Sequence, residues 1–349
     1  MTVLTGRACF SAVAVLTSAR NEVRLIVMNL QSIASPQFNR NTRSSSSNSP
    51  TYGGREMSLL VLVLSIAFSP CAADVGDFSP CLHFFYKSWP PKGLEGTPIC
   101  QRYNNSYYFA TLYSRYRRAP WFSGYLYTVP TGKRPTASWK YEPQLAYPGA
   151  DGNMMPFLPG PVDQNVVESQ AVKLDYINST FSRGHLNPSL HHQTHACRSA
   201  TFTLTNVVPQ KTGSNDGPWE VLEQAVNNTL SAYCLTEAYI VTGIIPYRDN
   251  DPRIKNRVAV PEYMWSAYCC PKYNQSLPEE LKDTFPTFAA VGRNDRNSTE
   301  EIVPIDKTAK KPIWGYDVRT MPLETLEMYL KDRFNTTVSV FYERCAESN

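Results

Sequence analysis

The sequence predicts an α+β fold, and three observations lead to that prediction. Short stretches rich in aromatic and β-branched residues are typical of strands; they lie at 107–114, 122–129, 200–206, 238–245, 257–260 and 338–342. Apolar residues recur at helical spacing around 218–230 and 323–333. The chain has 349 residues, with 27 prolines and 21 tyrosines, which favours a loop-rich mixed fold over a helical bundle. We therefore expect a mixed or antiparallel sheet with inserted helices and long loops.

The first 73 residues differ from the rest of the chain. Residues 1–56 contain a serine tract, six arginines and only two acids, and we interpret them as a non-native or alternative N-terminal extension that is disordered. Residues 57–68 form an uncharged apolar run, and small residues follow at 71–73. This pattern predicts a signal peptide at 57–73 and a secreted protein, because the run is too short for a comfortable membrane span. The alternative is a mitochondrial presequence rich in arginine and serine.

The same division affects the charge of the protein. The six arginines and two glutamates of residues 1–56 account for the whole formal net charge of +4, and residues 57–73 carry no charge. The remaining chain is therefore near neutral. It has no global basic field that would hold nucleic acid, so any phosphate contacts must be local.

Cysteines and glycosylation sequons agree with secretion. Seven cysteines follow residue 73, so one thiol is free or pairs between molecules. We expect a first bridge between Cys81 and Cys100, which would pin an N-terminal extension at 74–100; the other pairings stay open. A zinc site is the alternative, but no two cysteines have the Cys-x-x-Cys spacing. The N-glycosylation sequons lie at Asn104, Asn178, Asn227, Asn274, Asn297 and Asn335. The C-terminus is too polar for a membrane anchor, and the sequence leaves the oligomeric state open.

Residues 182–188, with the sequence Ser-Arg-Gly-His-Leu-Asn-Pro, hold the first candidate site residues. A neutral imidazole such as that of His185 can take a proton from water as the water attacks phosphorus. Gly184 lets the backbone approach closely, and Arg183 offers a planar fork of donors for phosphate. The alternative is a structural histidine in a turn.

Asn206, Asn215 and Glu223 complete the candidate set. The alternation over 200–206 predicts a strand that delivers Asn206 at its end. Mg²⁺ prefers oxygen ligands and keeps several waters, so the amide oxygen of Asn215 would suffice as its one direct protein ligand. The carboxylate of Glu223 could order water. The alternatives are a turn former at Asn206, a helix cap at Asn215 and a solvent-facing Glu223.

A helix is predicted directly after Asn215. Asp216 or Gly217 can cap it, and a proline fits its first turn. Trp219 and Glu223 follow Asn215 at steps of four residues, which places them on neighbouring turns of one side. One imidazole, two amides and a carboxylate at this spacing indicate a one-metal phosphodiesterase.

Three further histidines lie close to this motif in a polar stretch, at His191, His192 and His195. They could indicate a metal cluster. We expect instead that they belong to a solvated loop.

The gapped motif resembles the DNA/RNA non-specific endonuclease family, which has the ββα-metal (His-Me finger) fold. The family's motif reads Asp-Arg-Gly-His, then Asn-x-x-Pro-Gln, then Asn-x-x-x-Trp-x-x-x-Glu. This chain has Arg-Gly-His at 183–185, Asn-Val-Val-Pro-Gln at 206–210, and Asn, Trp and Glu at 215, 219 and 223. The resemblance covers roughly residues 81–345 and implies an endonuclease-like domain over 101–349.

The resemblance also implies an activity and a role for each residue. The protein would be a metal-dependent endonuclease that hydrolyses phosphodiester bonds of DNA and RNA and grips the nucleic acid by its backbone. His185 would be the general base, Asn215 would hold Mg²⁺ or Mn²⁺, and Glu223 would order water at the metal. Asn206 would support the site, and Arg183 would contact phosphate.

Two positions depart from the family's pattern. Ser182 replaces the aspartate of the first motif, and Asn227 stands where the family often has an arginine that contacts phosphate. Asn227 is also a sequon, so a glycan there would crowd the groove. The arginines that could replace the missing charge are Arg117, Arg118 and Arg134. These departures leave an alternative open, in which the protein is a catalytically weak or inactive nuclease-like binding module outside the cell.

Overall fold

A seven-stranded antiparallel sheet forms the centre of the computed structural model, which describes residues 74–136 and 138–346. In chain order the strands are β1 (Thr97–Tyr103), β2 (Ser106–Ser114), β3 (Ala119–Tyr127), β4 (Lys140–Tyr141), β5 (Met155–Pro156), β6 (Phe181–His185), β7 (Val207–Lys211), β8 (Ala238–Ile245), β9 (Arg253–Ile254), β10 (Val258–Ala259), β11 (Tyr263–Cys269), β12 (Thr287–Arg293) and β13 (Val318–Met321). The order in the large sheet is β1-β2-β3-β8-β11-β12-β13. Three two-stranded ladders, β4–β5, β6–β7 and β9–β10, lie outside it.

Helices lie between these strands. The α-helices are α1 (Pro143–Ala146), α2 (Gln164–Ser169), α3 (Lys173–Tyr176), α4 (His195–Ala200), α5 (Thr212–Asn215), α6 (Pro218–Tyr233) and α7 (Leu323–Phe334). The 3₁₀ helices are Ser79–Phe84, Tyr86–Ser88, Ser189–His191, Leu204–Asn206, Glu279–Thr284 and Tyr342–Cys345. The expected α+β class is therefore confirmed. The extension at 1–56 and the signal peptide at 57–73 lie outside the described residues.

The central strands bury both faces of the sheet. Because side chains alternate along a strand, neighbouring residues such as Ile240 and Val241 enter different cores. One core lies between the sheet and the segments β6, β7 and α6, where Leu222, Val226 and Leu230 are buried. The other core contains apolar residues of α7, the N-terminal 3₁₀ helices and the C-terminal segment. Each fully buried leucine or valine side chain contributes roughly 1.5–3 kcal/mol, so α6 is held mainly by its apolar stripe.

The antiparallel pair β6–β7 is followed by α5 and α6, so the chain forms a local ββα unit against the first core. In the register of this pair Ser182 lies opposite Gln210, and His185 lies opposite Val207. A Cβ added at Gly184 would lie 2.5 Å from Cβ of Gln210 on the neighbouring strand. Any larger residue at this position would therefore displace the Gln210 side chain or shift the strand.

Most of the predicted elements are confirmed, with shifted ends. The strand expected at 238–245 is β8, the strand at 107–114 is β2, and the helix at 323–333 is α7. The helix after Asn215 begins at Pro218, with Gly217 as its cap residue.

Two strand predictions are wrong. Residues 200–206 form the end of α4 and a 3₁₀ helix, and the strand begins only at Val207. Polar side chains close this turn, since the hydroxyl of Thr201 donates to the Arg198 carbonyl and the Asn206 amide donates to the Thr201 carbonyl. Residues 338–342 form no strand, and Ser339 makes an isolated bridge with Lys92. The N–H of Val340 donates to Oε1 of Glu327 rather than to a neighbouring strand.

Three disulfide bonds tie the fold together. Cys81 is bonded to Cys100, as predicted. Two further bridges, Cys234–Cys270 and Cys269–Cys345, connect the sheet to the end of α6 and to the C-terminal segment. Among the described cysteines Cys197 is the unpaired one, and its Sγ lies 3.0 Å from Nδ1 of His192.

Among residues 74–136 and 138–346, no helix is both long enough and apolar enough to cross a membrane.

The disulfide between Cys269 and Cys345 should contribute strongly to stability, because it closes a loop with a sequence separation of 76 residues. We expect the double substitution Cys269→Ala/Cys345→Ala to lower the free energy of unfolding by about 2–5 kcal/mol in urea titrations. The control is Cys197→Ala, which removes a thiol and no cross-link. A double variant that loses no more stability than this control would contradict the expectation.

Candidate active site

His185 lies at the end of β6, between two aromatic rings. The imidazole is half-buried, and its centroid lies 5.5 Å from the ring of Trp139 and 5.2 Å from that of Phe202. The guanidinium of Arg183 stacks on Trp139 at 4.6 Å, and that of Arg134 lies 5.2 Å from the centroid of Phe202. The histidine is thus enclosed by two rings, each carrying a cation.

These surroundings keep the imidazole of His185 neutral. Burial, followed by the positive charges of Arg134 and Arg183, lowers the pKa of His185 to about 3. Its Nε2 atom is buried and has no hydrogen-bond partner among the described residues. His185 therefore offers an imidazole that carries no charge at neutral pH and has a ring nitrogen not engaged by the protein.

Asn206 fixes the loop that follows His185. Its Oδ1 accepts hydrogen bonds from the backbone N–H of Asn187 at 3.0 Å and from the hydroxyl of Ser123 at 2.9 Å. Its Nδ2 donates to the carbonyl oxygens of Asn187 and Thr201 at 2.9 and 3.0 Å. Asn206 is fully buried, and its backbone carbonyl accepts from the N–H of Leu186. The structure thus places this side chain beneath the site, with both polar atoms used for positioning.

Arg183 and His185 share one face of β6, and Ser182 and Gly184 share the other. The hydroxyl of Ser182 lies 3.3 Å from that of Thr212 in α5. A carboxylate at position 182 would therefore point toward α5 and not toward the imidazole. Serine in place of the family's aspartate at position 182 therefore changes the surroundings of α5, which ends at Asn215, more directly than those of the His185 imidazole.

Asn215 is the last residue of α5, directly before the turn into α6. It is half-buried, and its Nδ2 donates to Oδ1 of Asp216. Its Oδ1 accepts no hydrogen bond from the described residues. The helix-cap alternative does not apply, since Gly217 is the cap residue of α6.

Glu223 lies on α6, one turn after Trp219, and is half-buried. Burial raises the pKa of its carboxyl to about 8, and the Trp219 side chain and the charge of Arg134 oppose that rise. Arg134 acts on the pKa of both His185 and Glu223, so its exposed guanidinium lies within electrostatic reach of both. Arg134 thus lies close enough to affect the charge of both His185 and Glu223.

Asn227 follows one turn after Glu223. The Tyr127 hydroxyl donates to Oδ1 of Asn227 at 2.9 Å, and Nδ2 of Asn227 donates to Oδ1 of Asn228 at 3.3 Å. The side chain is half-buried and carries no charge. It does not supply the phosphate contact that an arginine would provide.

Among the arginines named for that role, Arg134 is the one placed beside His185. Arg117 is buried and paired with Asp251. Arg118 donates through Nε to the carbonyl oxygen of Glu168 at 3.2 Å. Sequence reasoning missed Trp139 and Phe202, which lie in loop and turn segments without a local pattern that marks them.

The expectation of a solvated histidine loop is wrong for two of the three histidines. His191 and His192 are buried. Their ring nitrogens lie within hydrogen-bonding distance of neighbouring polar groups. His191 contacts the Tyr125 hydroxyl and the Glu223 carbonyl, both at 3.0 Å. His195 is exposed, as expected.

The donor atoms at the site fit a hydrated hard cation. No group of three His, Cys, Asp or Glu side chains within 74–136 and 138–346 could hold a metal ion. Mg²⁺ does not require such a group, because it keeps several waters and accepts few protein oxygens. The unused Oδ1 of Asn215 would be a direct ligand, and the desolvated carboxyl of Glu223 would gain a compensating positive charge.

Comparison with known proteins identifies relatives of this chain. The profile of the family described as DNA/RNA non-specific endonuclease matches residues 94–320. Endonuclease domain-containing 1 protein of Homo sapiens is 36% identical over 208 residues, which are 56% of this chain and 40% of that protein. Endonuclease G, mitochondrial, of Homo sapiens is 31% identical over 107 residues, which are 28% of this chain and 35% of that protein. The chain thus spans less than half of the length of these relatives.

A solved structure of an EndoG/EndoGI complex aligns with a TM-score of 0.45 and 16% identity, over 76% of this chain and 91% of that chain.

The family profile covers the segment that carries His185, Asn206, Asn215 and Glu223. The chain therefore belongs to the DNA/RNA non-specific endonuclease family.

Proposed function

We propose that this protein is a secreted endonuclease that hydrolyses phosphodiester bonds of DNA and RNA with Mg²⁺ or Mn²⁺. One observation carries the proposal. His185 is a neutral imidazole with an unpartnered Nε2, held between Arg134 and Arg183. Attack of water on a phosphodiester requires a base that takes the proton of the water. It also requires positive charge near the phosphoryl oxygens, because the phosphodiester is an anion.

His185 would accept the proton from the attacking water at a ring nitrogen. A base with a pKa of about 3 is weak, but that pKa is depressed in part by Arg134 and Arg183. A bound phosphodiester anion would offset part of the positive charge of the two guanidinium groups and thereby raise the pKa of the imidazole. Substrate binding would thus strengthen the base at the moment when it is needed.

Arg183 and Arg134 would hold the phosphoryl oxygens. Neither forms an ion pair with a carboxylate in the described part of the chain, and their stacking on Trp139 and Phe202 limits their motion. Planar guanidinium groups make paired, charge-assisted hydrogen bonds to phosphate. These contacts involve the backbone alone, so they favour cleavage without sequence preference.

Asn215 and Glu223 would hold the cation and its surroundings. When bound, Mg²⁺ or Mn²⁺ supplies positive charge for the phosphoryl and leaving oxygens. Asn215 would bind it through Oδ1, and Glu223 would order water in the site. Asn206 would act as a positioning residue, since all its contacts lie within the protein.

Secretion is proposed on three grounds. The apolar run at 57–68 is followed by small residues. The structure has three disulfide bonds, which persist in oxidising compartments, and the sequence has several N-glycosylation sequons. A mitochondrial location is the alternative, and reduced cysteines in the purified native protein would favour it.

We expect His185→Ala to lower the rate of plasmid and RNA cleavage by roughly 10²–10⁴, as is typical for loss of a positioned base. The matched control is His195→Ala, which removes an exposed histidine from the same region. Cleavage is measured with Mg²⁺ and with EDTA, and thermal melting verifies that each variant is folded. A folded wild-type protein that binds nucleic acid but cuts nothing would favour the binding-module alternative.

We expect Arg134→Ala to lower kcat/KM for DNA by roughly 10–100-fold, because a hydrogen bond to a charged group contributes about 1.5–3 kcal/mol. Lys133→Ala is the control, since it removes an exposed positive charge from the neighbouring position. Equal losses in the two variants would indicate a general charge effect and contradict a specific phosphate contact.

Glu223 should make the metal-free protein less stable as pH rises. The pKa of its carboxyl is raised from 4.5 to about 8, so the folded state holds this proton more tightly than the unfolded state. The stabilisation is complete below pH 4.5 and is lost as pH rises through about 8. We expect the free energy of unfolding of the wild type, relative to Glu223→Gln, to fall between these values in urea titrations with EDTA. Glu220→Gln, on the exposed side of α6, should show no such trend.

A further inference from the structure

A second basic surface is formed by the turn between β2 and β3 and the hairpin β9–β10. We name it the turn–hairpin patch; its residues are Arg115, Tyr116, Arg118, Arg253 and Lys255. None of them takes part in the chemistry proposed for His185. All five are exposed or half-exposed, and the ring of Tyr116 is 80% exposed.

The two segments hold each other in place through the backbone. The N–H of Ala259 donates to the carbonyl of Arg117 at 2.9 Å, and Nη1 of Arg253 donates to the carbonyl of Tyr116 at 3.0 Å. The Arg253 guanidinium lies 4.5 Å from the centroid of the Tyr116 ring. The exposed ring is thus backed by a cation, and its other face is open to solvent.

The nearby carboxylates are used by other arginines. Asp251 pairs with the buried Arg117, and Asp175 pairs with Arg257 at 2.8 Å. Burial lowers the pKa of Arg118, and the positive charge of Arg257 lowers it further. Arg118 bonds the carbonyl of Glu168, whose carboxylate accepts instead from Gln164. The patch therefore gathers like charges whose repulsion an anionic ligand would relieve.

The patch is connected to the candidate active site through α3. Nζ of Lys255 donates to the carbonyl of Leu174 in α3. Tyr176, two residues later, lies within electrostatic reach of Arg183. The patch and Arg183 are thus both linked to one short helix, α3.

We propose that the turn–hairpin patch is a second nucleic-acid contact, which binds the sugar–phosphate backbone beyond the scissile bond and stacks an unpaired base on Tyr116. The inference rests on the proposed nuclease function for its ligand. Charge complementarity supports a polyanion, and the exposed ring favours a nucleic acid, because aromatic side chains stack bases of any sequence. Since the chain after residue 73 is near neutral, such local patches would provide its affinity for long substrates.

The test measures binding of a single-stranded 20-mer DNA at several salt concentrations, in the His185→Ala background and with EDTA, so that cleavage is suppressed. The patch variant is Arg118→Gln/Lys255→Gln. The control is Lys92→Gln/Lys331→Gln, which removes the same charge from exposed positions beside the second core. We expect about a tenfold weaker affinity for the patch variant and a salt slope reduced by roughly 1.4, which corresponds to two phosphate contacts to a single strand. The control should stay within twofold of its parent.

A second measurement uses the cleavage-competent protein. The patch variant should have a raised KM and an unchanged kcat for long DNA, and its KM should rise less for a dinucleotide than for long DNA. Tyr116→Ala should weaken binding of single strands more than of duplex DNA. Thermal melting verifies folding, and Lys255→Gln alone provides a milder variant at the tip of the hairpin.

The outcomes separate the two proposals. Reduced DNA affinity and salt slope in the patch variant alone would support the inference, even if the wild-type protein cuts nothing and the proposed hydrolysis fails. Equal effects in the patch and control variants would overturn it. Unchanged DNA binding with lost binding to heparin would also overturn it, and would assign the patch to sulfated polysaccharides.

Discussion

The side-chain amide of Asn206 is the interaction on which the candidate site depends. Its Oδ1 accepts from Asn187 and Ser123, so it joins the loop after His185 to the central sheet. Each of these bonds is buried, and loss of one partner would leave a desolvated donor or acceptor at a cost of about 1–3 kcal/mol. The position of the imidazole therefore follows from one asparagine and from the strand pairing that Gly184 permits.

The electrostatic properties of the site follow from that placement. Burial makes charge costly on both His185 and Glu223, and it moves their pKa values in opposite directions. The metal-free site thus holds a neutral base and a carboxyl that is easily protonated. In the proposed function, a phosphodiester anion would raise the pKa of His185, and a divalent cation would lower the pKa of Glu223.

The sequence predicts the features that depend on short-range spacing. The candidate residues from Arg183 to Glu223, the strand β8 and the helix α7 could all be found in this way. Strands β11 and β12 were missed because both of their faces are buried, which removes the alternation that marks a strand. The strand expected at 200–206 is wrong because the Thr201 hydroxyl donates to the backbone of its own turn, and the Thr203 and Thr205 hydroxyls bond to each other within the 3₁₀ segment. Trp139 reaches His185 through tertiary packing, which no local pattern records.

The distribution of charge explains how the part of the chain after residue 73, which is near neutral, can present cationic surfaces. Acidic residues pair with arginines that have structural roles, as Asp251 does with Arg117 and Glu262 with Arg333. Those ion pairs neutralise carboxylates inside the fold. Beside His185, Arg134 and Arg183 have no carboxylate partner among the described residues. Binding of a polyanion would then depend on a few fixed guanidinium groups and on salt concentration, rather than on net charge. Near-neutrality after residue 73, combined with unpaired cations at the site, would limit nonspecific attraction elsewhere and keep the local positive charge that the proposed chemistry requires.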